Sequence, residues 1–79
     1  YELITDFKTE LQEYLQQNGP VHIRYELVKE EGPSHDKTFT VQLIVDGKKY
    51  KTASGKTKKA AEQMAAKLTM EELTKSSLS

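Results

Sequence analysis

The 79-residue sequence has no cysteine, no tryptophan, only two prolines and no excess of either charge: twelve Lys and Arg balance twelve Asp and Glu. Without cysteine there is no disulfide framework, and the four-ligand Cys/His clusters of structural zinc sites are excluded too. The lack fits a reducing compartment. No apolar run approaches the about 18 residues that a membrane-spanning helix needs. Residues 1–7 lack the basic-then-apolar pattern of a secretion signal. The chain opens on Tyr1 rather than methionine, which sets the expectation of a piece cut from a longer protein. At this length a single small domain is expected, burying only about 60% of its unfolded surface.

Zero net charge argues at first against a polyanionic partner. The distribution reverses that impression. Residues 1–18 carry four acids (Glu2, Asp6, Glu10, Glu13) and one base (Lys8). Residues 47–67 carry seven lysines (Lys48, Lys49, Lys51, Lys56, Lys58, Lys59, Lys67) against one acid, Glu62, a local charge of +6. Such asymmetry says more about partners than the sum does.

Asp6 to Gln17 reads as a helix, because Phe7, Leu11, Tyr14 and Leu15 recur at helical spacing. Asp6 or Thr5 can cap it, and Asn18-Gly19-Pro20 ends it. Val21 to Glu30 alternates, with Ile23, Tyr25 and Leu27 on one face and Arg24, Glu26 and Val28 on the other. Gly32-Pro33-Ser34 is a turn or loop. Thr38 to Val45 is the clearest strand, with Phe39, Val41, Leu43 and Val45 facing inward and Thr38, Thr40 and Gln42 outward. Asp46-Gly47 is a two-residue hairpin signal, and Lys48 to Ala53 returns antiparallel. A loop over Ala53 to Lys56 leads to Thr57, the expected N-cap of a second helix running to about Leu73. Ala60, Ala61, Met64, Ala65 and Leu68 cluster on one side of that helix and Lys58, Lys59 and Glu62 on the other. The domain is thus expected over residues 1–73, with residues 74–79 as a flexible tail. The order predicts an α+β fold, α-β-β-β-α, with both helices on one face of a three-stranded antiparallel sheet and the other face wet.

The basic cluster carries the clearest functional signal. Lys58 and Lys59 fall in the first turn of the second helix and Lys56 just before it. A helix N-terminus attracts anions, so three lysines there repel the dipole and one another. A lysine run alone also suits an ordinary solvated surface. Its placement at the wrong helix end favours a bound polyanion.

Gly55-Lys56-Thr57-Lys58-Lys59-Ala60-Ala61-Glu62-Gln63-Met64-Ala65-Ala66 resembles the second-helix signature of the double-stranded RNA-binding domain. Gly32-Pro33-Ser34-His35 with Lys37-Thr38-Phe39-Thr40-Val41 resembles that family's loop and second strand, and Asp6 to Gln16 its first helix. The three motifs occur in order and cover nearly the whole chain. The opening Asp-Phe-Lys-Thr and the Ala-Glu-Gln after the lysine pair are most similar to the C-terminal RNA-binding domain of ribonuclease III.

The resemblance implies recognition of A-form RNA by shape, across about 16 base pairs, touching two minor grooves and the phosphates between them. Three contact regions are expected. Thr9, Gln12, Glu13 and Gln16 share the polar face of the first helix, and hydroxyl, amide and carboxylate groups can bond a 2′-hydroxyl. By itself that pattern also suits an ordinary solvated face. Pro33, Ser34 and His35 form the loop that would enter the next minor groove; a lone loop histidine is otherwise a surface residue. Lys56, Lys58 and Lys59, with Lys37 beside them, would meet the major-groove phosphates. About three phosphate contacts predict a salt slope near −2 to −3. Glu62 departs from the basic residue common in the family. It is expected to sit with Lys58 and Lys59 and to hold them through i, i+3 and i+4 pairing.

Catalysis is not expected within the chain. Glu30-Glu31 and Glu71-Glu72 are neighbours that diverge on a strand or a helix, so neither makes a two-metal cluster. His22 and His35 are not expected to pair on a metal, and no cofactor is expected. The resemblance implies a cytoplasmic parent, a dimeric ribonuclease III whose magnesium-dependent nuclease domain is covalently linked elsewhere. The rival from another class is a protein-interaction module that dimerises through this fold. A second rival is the RNA-binding domain of another RNA-processing protein.

Overall fold

The computed structural model describes the backbone of residues 6–78 and the side chains of residues 6–75. Glu2, Thr5, Ser79 and the side chains of residues 76–78 lie outside the described residues. The elements run α1 (Phe7–Leu15), a 3-10 turn (Gln16–Asn18), β1 (Ile23–Glu31), β2 (Thr38–Val45), β3 (Lys48–Gly55) and α2 (Lys58–Leu78). The strands form one antiparallel sheet in the order β1-β2-β3. This is the α+β, α-β-β-β-α arrangement expected from the sequence.

Local chemistry explains the boundaries. The Asp6 carboxylate accepts from the Thr9 backbone N–H and so caps α1. Gly19, with φ of 121°, ends the 3-10 turn in a conformation that L side chains rarely adopt. Asp46 and Gly47 both have positive φ, the signature of a type I′ hairpin. The Asp46 carboxylate accepts from the His22 N–H (3.0 Å) while its own N–H donates to the His22 carbonyl (2.8 Å), which ties the turn to the start of β1. Thr57 caps α2 by accepting from the Ala60 N–H at 3.0 Å.

The core lies between the sheet and the helices. Leu11, Val41, Leu43, Val45, Ala53, Ala61, Ala65 and Ala66 are buried, with Phe7, Leu15, Ile23, Tyr25, Tyr50 and Leu68 packed around them. Full burial of a leucine contributes about 1.5–3 kcal/mol, so Leu11 and Leu43 matter greatly in so small a core. The alanines hold α2 close to the sheet. A Cβ on Gly55 would lie 2.7 Å from the Ala61 N–H nitrogen, so only glycine lets β3 pass the start of α2.

Several expectations need correction. The buried side of α2 is turned by about a quarter revolution from the predicted one. Ala61, Ala65, Ala66 and Thr69 are buried, whereas Ala60 is exposed and Met64 is 42% exposed. The cause is that α2 must meet β2, β3 and α1 together, which a single stripe does not reveal. β3 runs through Gly55 because Ser54 and Gly55 still pair with Thr40 and Phe39, leaving only Lys56 and Thr57 as the connection. α2 continues beyond Leu73, where the Thr74 hydroxyl donates to the Met70 carbonyl and nothing breaks the helix.

Two β-bulges interrupt the alternation. Val28 is the extra residue of β1, and Leu27 beside it, opposite Val41, is 39% exposed. In β3, Tyr50 and Lys51 together oppose Leu43, and the Gln42 side-chain amide donates to the Tyr50 carbonyl at 3.2 Å. The outer face is not wholly wet either. Ile44 is buried there between its ladder partners Arg24 and Lys49, whose long aliphatic stems can cover it.

Candidate nucleic-acid interface

The N-terminal turn of α2 is the hub of the predicted site. Lys58 and Lys59 are exposed there and make no ion pair among the described residues. Two positive charges stand against the positive end of the helix dipole with no acid among the described residues in an ion pair with them. Lys58 lies on the side of the sheet, where it helps to lower the pKa of Glu30. Lys59 is one helical turn before Gln63, which faces α1.

On the sheet side the β1–β2 loop reaches α2. The turn closes with the Asp36 N–H donating to the Pro33 carbonyl at 2.9 Å. Gly32 has φ of 97°, and a Cβ there would lie 2.6 Å from the Asp36 carbonyl oxygen, so the turn requires glycine. Pro33, Ser34 and His35 are exposed at its tip. Lys56 Nζ meets Asp36 Oδ1 at 2.8 Å, which joins this loop to the start of α2. A shallow depression of about 450 Å³ opens between them, lined by Ser34, His35, Asp36, Lys37, Phe39 and Lys56.

Lys37 is not a free cation. Its Nζ lies 2.5 Å from Glu30 Oε2, and this bond, with the charge of Lys37, holds the Glu30 carboxyl below the ordinary value of 4.5. Of the four predicted cations, Lys37 and Lys56 thus have acid partners and Lys58 and Lys59 do not.

On the other side α1 is fastened to α2. Gln63 Nε2 donates to Asp6 Oδ1 (2.9 Å), the Lys8 backbone N–H donates to Gln63 Oε1 (3.2 Å), and Lys8 Nζ meets Glu62 Oε1 (2.7 Å). Hydrogen bonds from Gln63 and then Thr9 hold the Asp6 carboxyl below its ordinary range. Tyr25 of β1 lies beneath, its ring 5.1 Å from Lys8 Nζ. Burial, with the nearby charges of Glu62 and Asp6, pushes the Tyr25 hydroxyl up to about 12.

Thr9, Gln12, Glu13 and Gln16 are all exposed. Gln12 follows Lys8 by one turn and so shares the flank of α1 that meets α2. Two details differ from expectation. The Thr9 hydroxyl is engaged with Asp6 Oδ2 at 2.8 Å, and Gln16 sits in the 3-10 turn rather than in α1. No hydrogen bond or ion pair joins α1 directly to the β1–β2 loop among the described residues. Both regions meet α2 instead, one on either side of its first turns.

Glu62 also departs from its expected role. It pairs with Lys8 and does not bracket Lys58 and Lys59, because the rotation of α2 turns it inward toward α1 and Tyr25. Sequence reasoning missed Asp36, Glu30, Lys8 and Gln63 as parts of the site. Gln63 and Lys8 carried a signal, as members of the Ala-Glu-Gln and Asp-Phe-Lys-Thr runs.

The family described as the double-stranded RNA binding motif matches residues 7–73. The chain belongs to this family. Its RNA-binding domain is 54% identical over 71 residues to ribonuclease 3 of Streptococcus pneumoniae strains Hungary19A-6 and CGSP14, and equally to that of the serotype 19F strain G54. Each match covers 90% of this chain and 31% of the relative, in the relative's C-terminal region. The chain therefore spans about a third of the length of these relatives.

Within the RNA-binding domain no group of three or more His, Asp or Glu could hold a metal ion among the described residues. The adjacent acids go elsewhere: Glu30 to Lys37, Glu31 to Lys29 and Glu72 to Lys51. No described helix is long and apolar enough to cross a membrane.

Proposed function

We propose that this double-stranded RNA-binding domain reads an RNA duplex by shape, and that it is the substrate-holding arm of a ribonuclease III-like endonuclease. Thr9, Gln12, Glu13 and Gln16 contact 2′-hydroxyls in one minor groove. Pro33, Ser34 and His35 enter the next. Lys58 and Lys59, joined by Lys56 and Lys37, meet the phosphates between them. The domain takes no metal. The magnesium and the bond cleavage belong to a linked nuclease domain outside this chain, in a dimeric, cytoplasmic parent.

One observation carries the reading: Lys58 and Lys59, exposed and without an ion pair among the described residues, stand along α2 between Lys56, which is joined to the loop, and Gln63, which is joined to α1. A duplex surface repeats phosphate rims on either side of each groove, so a cationic centre with a polar probe on each flank matches it. The chain's own electrostatics favour the same partner, since a bound phosphate relieves the repulsion at the helix end.

Electrophoretic mobility shift with RNA and DNA duplexes of about 20 base pairs tests it, a length that exceeds the about 16 the family spans. Binding to RNA that weakens with salt, together with much weaker binding to DNA, is the expected result. Equal binding to both would refute 2′-hydroxyl readout. Concentration-dependent self-association without RNA binding would support a protein-interaction module instead.

A further inference from the structure

α1 is a nine-residue helix, about 13 Å long. Its apolar contacts through Phe7, Leu11 and Leu15 are non-directional. The directional contacts gather at its first turn, and one side chain makes two of them. Gln63 donates to the capping carboxylate of Asp6 and accepts from the N–H of Lys8, an orphan donor of the α1 start. An amide satisfies both at once; a carboxylate would face Asp6 with like charge. The ion pair Lys8–Glu62 sits beside it and Tyr25 lies below, so α1, α2 and β1 meet at this point.

We infer that Gln63 is a positioning residue for RNA recognition: it fixes the reach from the α2 lysines to the α1 polar face and so sets the length of duplex the domain measures. The inference rests on the proposed RNA-binding face. Gln63 is one turn beyond Lys59 on the same side of α2, so its side chain, with the Glu62–Lys8 ion pair beside it, links the phosphate-binding turn to the groove-reading helix. A tilt of about 10° at the pinned end would move the other end of α1 by about 2 Å, enough to break hydrogen bonds from Gln12 and Gln16 to a groove.

Fluorescence anisotropy with RNA duplexes of about 10 and about 20 base pairs isolates this role, because only the longer one exceeds the about 16 that span both minor grooves. The unaltered protein binds the longer duplex more tightly. Gln63→Ala binds the longer duplex about tenfold more weakly, matches the unaltered protein on the shorter one, and keeps its salt slope because the lysines are intact. The exchanged pair Gln63→Glu with Asp6→Asn restores the α1–α2 contact in reversed polarity: the asparagine amide, in the place of Asp6 Oδ1, donates to the new carboxylate, and its oxygen accepts from the Thr9 hydroxyl. The length-dependent gain then returns. A full gain in Gln63→Ala, or equal losses on both duplexes, overturns the inference. Should Gln63→Ala fail to fold, the exchanged pair decides: a restored gain supports the role and a flat response overturns it. Absence of any length-dependent gain in the unaltered protein would instead sink the underlying reading of the face, and this inference with it.

Discussion

The loop end of the sheet and the first turn of α2 handle positive charge in opposite ways. At the loop, Lys37 is bonded to Glu30 and Lys56 to Asp36. One step along the chain, Lys58 and Lys59 stand exposed without an ion pair among the described residues. The paired lysines shape the surface, since the Lys56–Asp36 bond joins the loop to α2. The unpaired ones supply the field. A count of lysines in a motif therefore overstates the charge available to a phosphate, because an engaged cation must exchange one anion for another.

The largest effect that could break this comparison comes from the unpaired pair. Lys58→Ala with Lys59→Ala should weaken duplex RNA binding by about tenfold or more and make the salt slope shallower by about two, as read by titrations at several salt concentrations. Lys56→Ala should cost less, about threefold, because its phosphate contact competes with Asp36. Equal losses from the two would erase the distinction. Asp36→Asn should tighten binding by about twofold at low salt, with the gain fading as screening rises. Weaker binding in that variant would mean that the loop anchor outweighs the released charge.

The smallest effect concerns stability. Glu30 has its pKa lowered in the folded state, first by its hydrogen bond from Lys37, so the unfolded chain binds the proton more readily. Its contribution is present above the ordinary value of 4.5 and is lost as pH falls through the lowered one. Glu30→Gln should accordingly flatten the fall of the thermal midpoint below pH 4.5. An unchanged pH profile would show that this pair is not held in solution.

The order of elements was legible because each has its own local chemistry. Asp6 and Thr57 cap, Asp46-Gly47 turns, and β2 alternates as far as Leu43. What was not legible depends on pairing across the fold. The bulges at Val28 and at Tyr50-Lys51 arise from register against β2, and neither leaves a mark in its own strand. The face that α2 buries is chosen by three neighbours at once, so a stripe of alanines read alone placed Ala60 and Met64 wrongly. The same rotation sends Glu62 to Lys8, a residue 54 positions away. In the site, the exposed polar residues of α1 and the loop were readable as a pattern. The choice of acid partner for each lysine was not, because it depends on distances that only the folded chain defines.

The central claim is that the free cationic start of α2, the β1–β2 loop and the polar flank of α1 act as one duplex-reading surface. NMR titration of the labelled protein with an RNA duplex of about 20 base pairs tests it most directly, since that length covers both grooves. The account predicts shifts at Gln12, Gln16, Ser34, His35, Lys58 and Lys59 that move together, and quiet signals at Glu72 and Lys75, in the C-terminal part of α2, and at Lys51 of β3, which pairs with Glu72. Shifts concentrated at Lys51 and Glu72, or confined to one of the three regions, would contradict it.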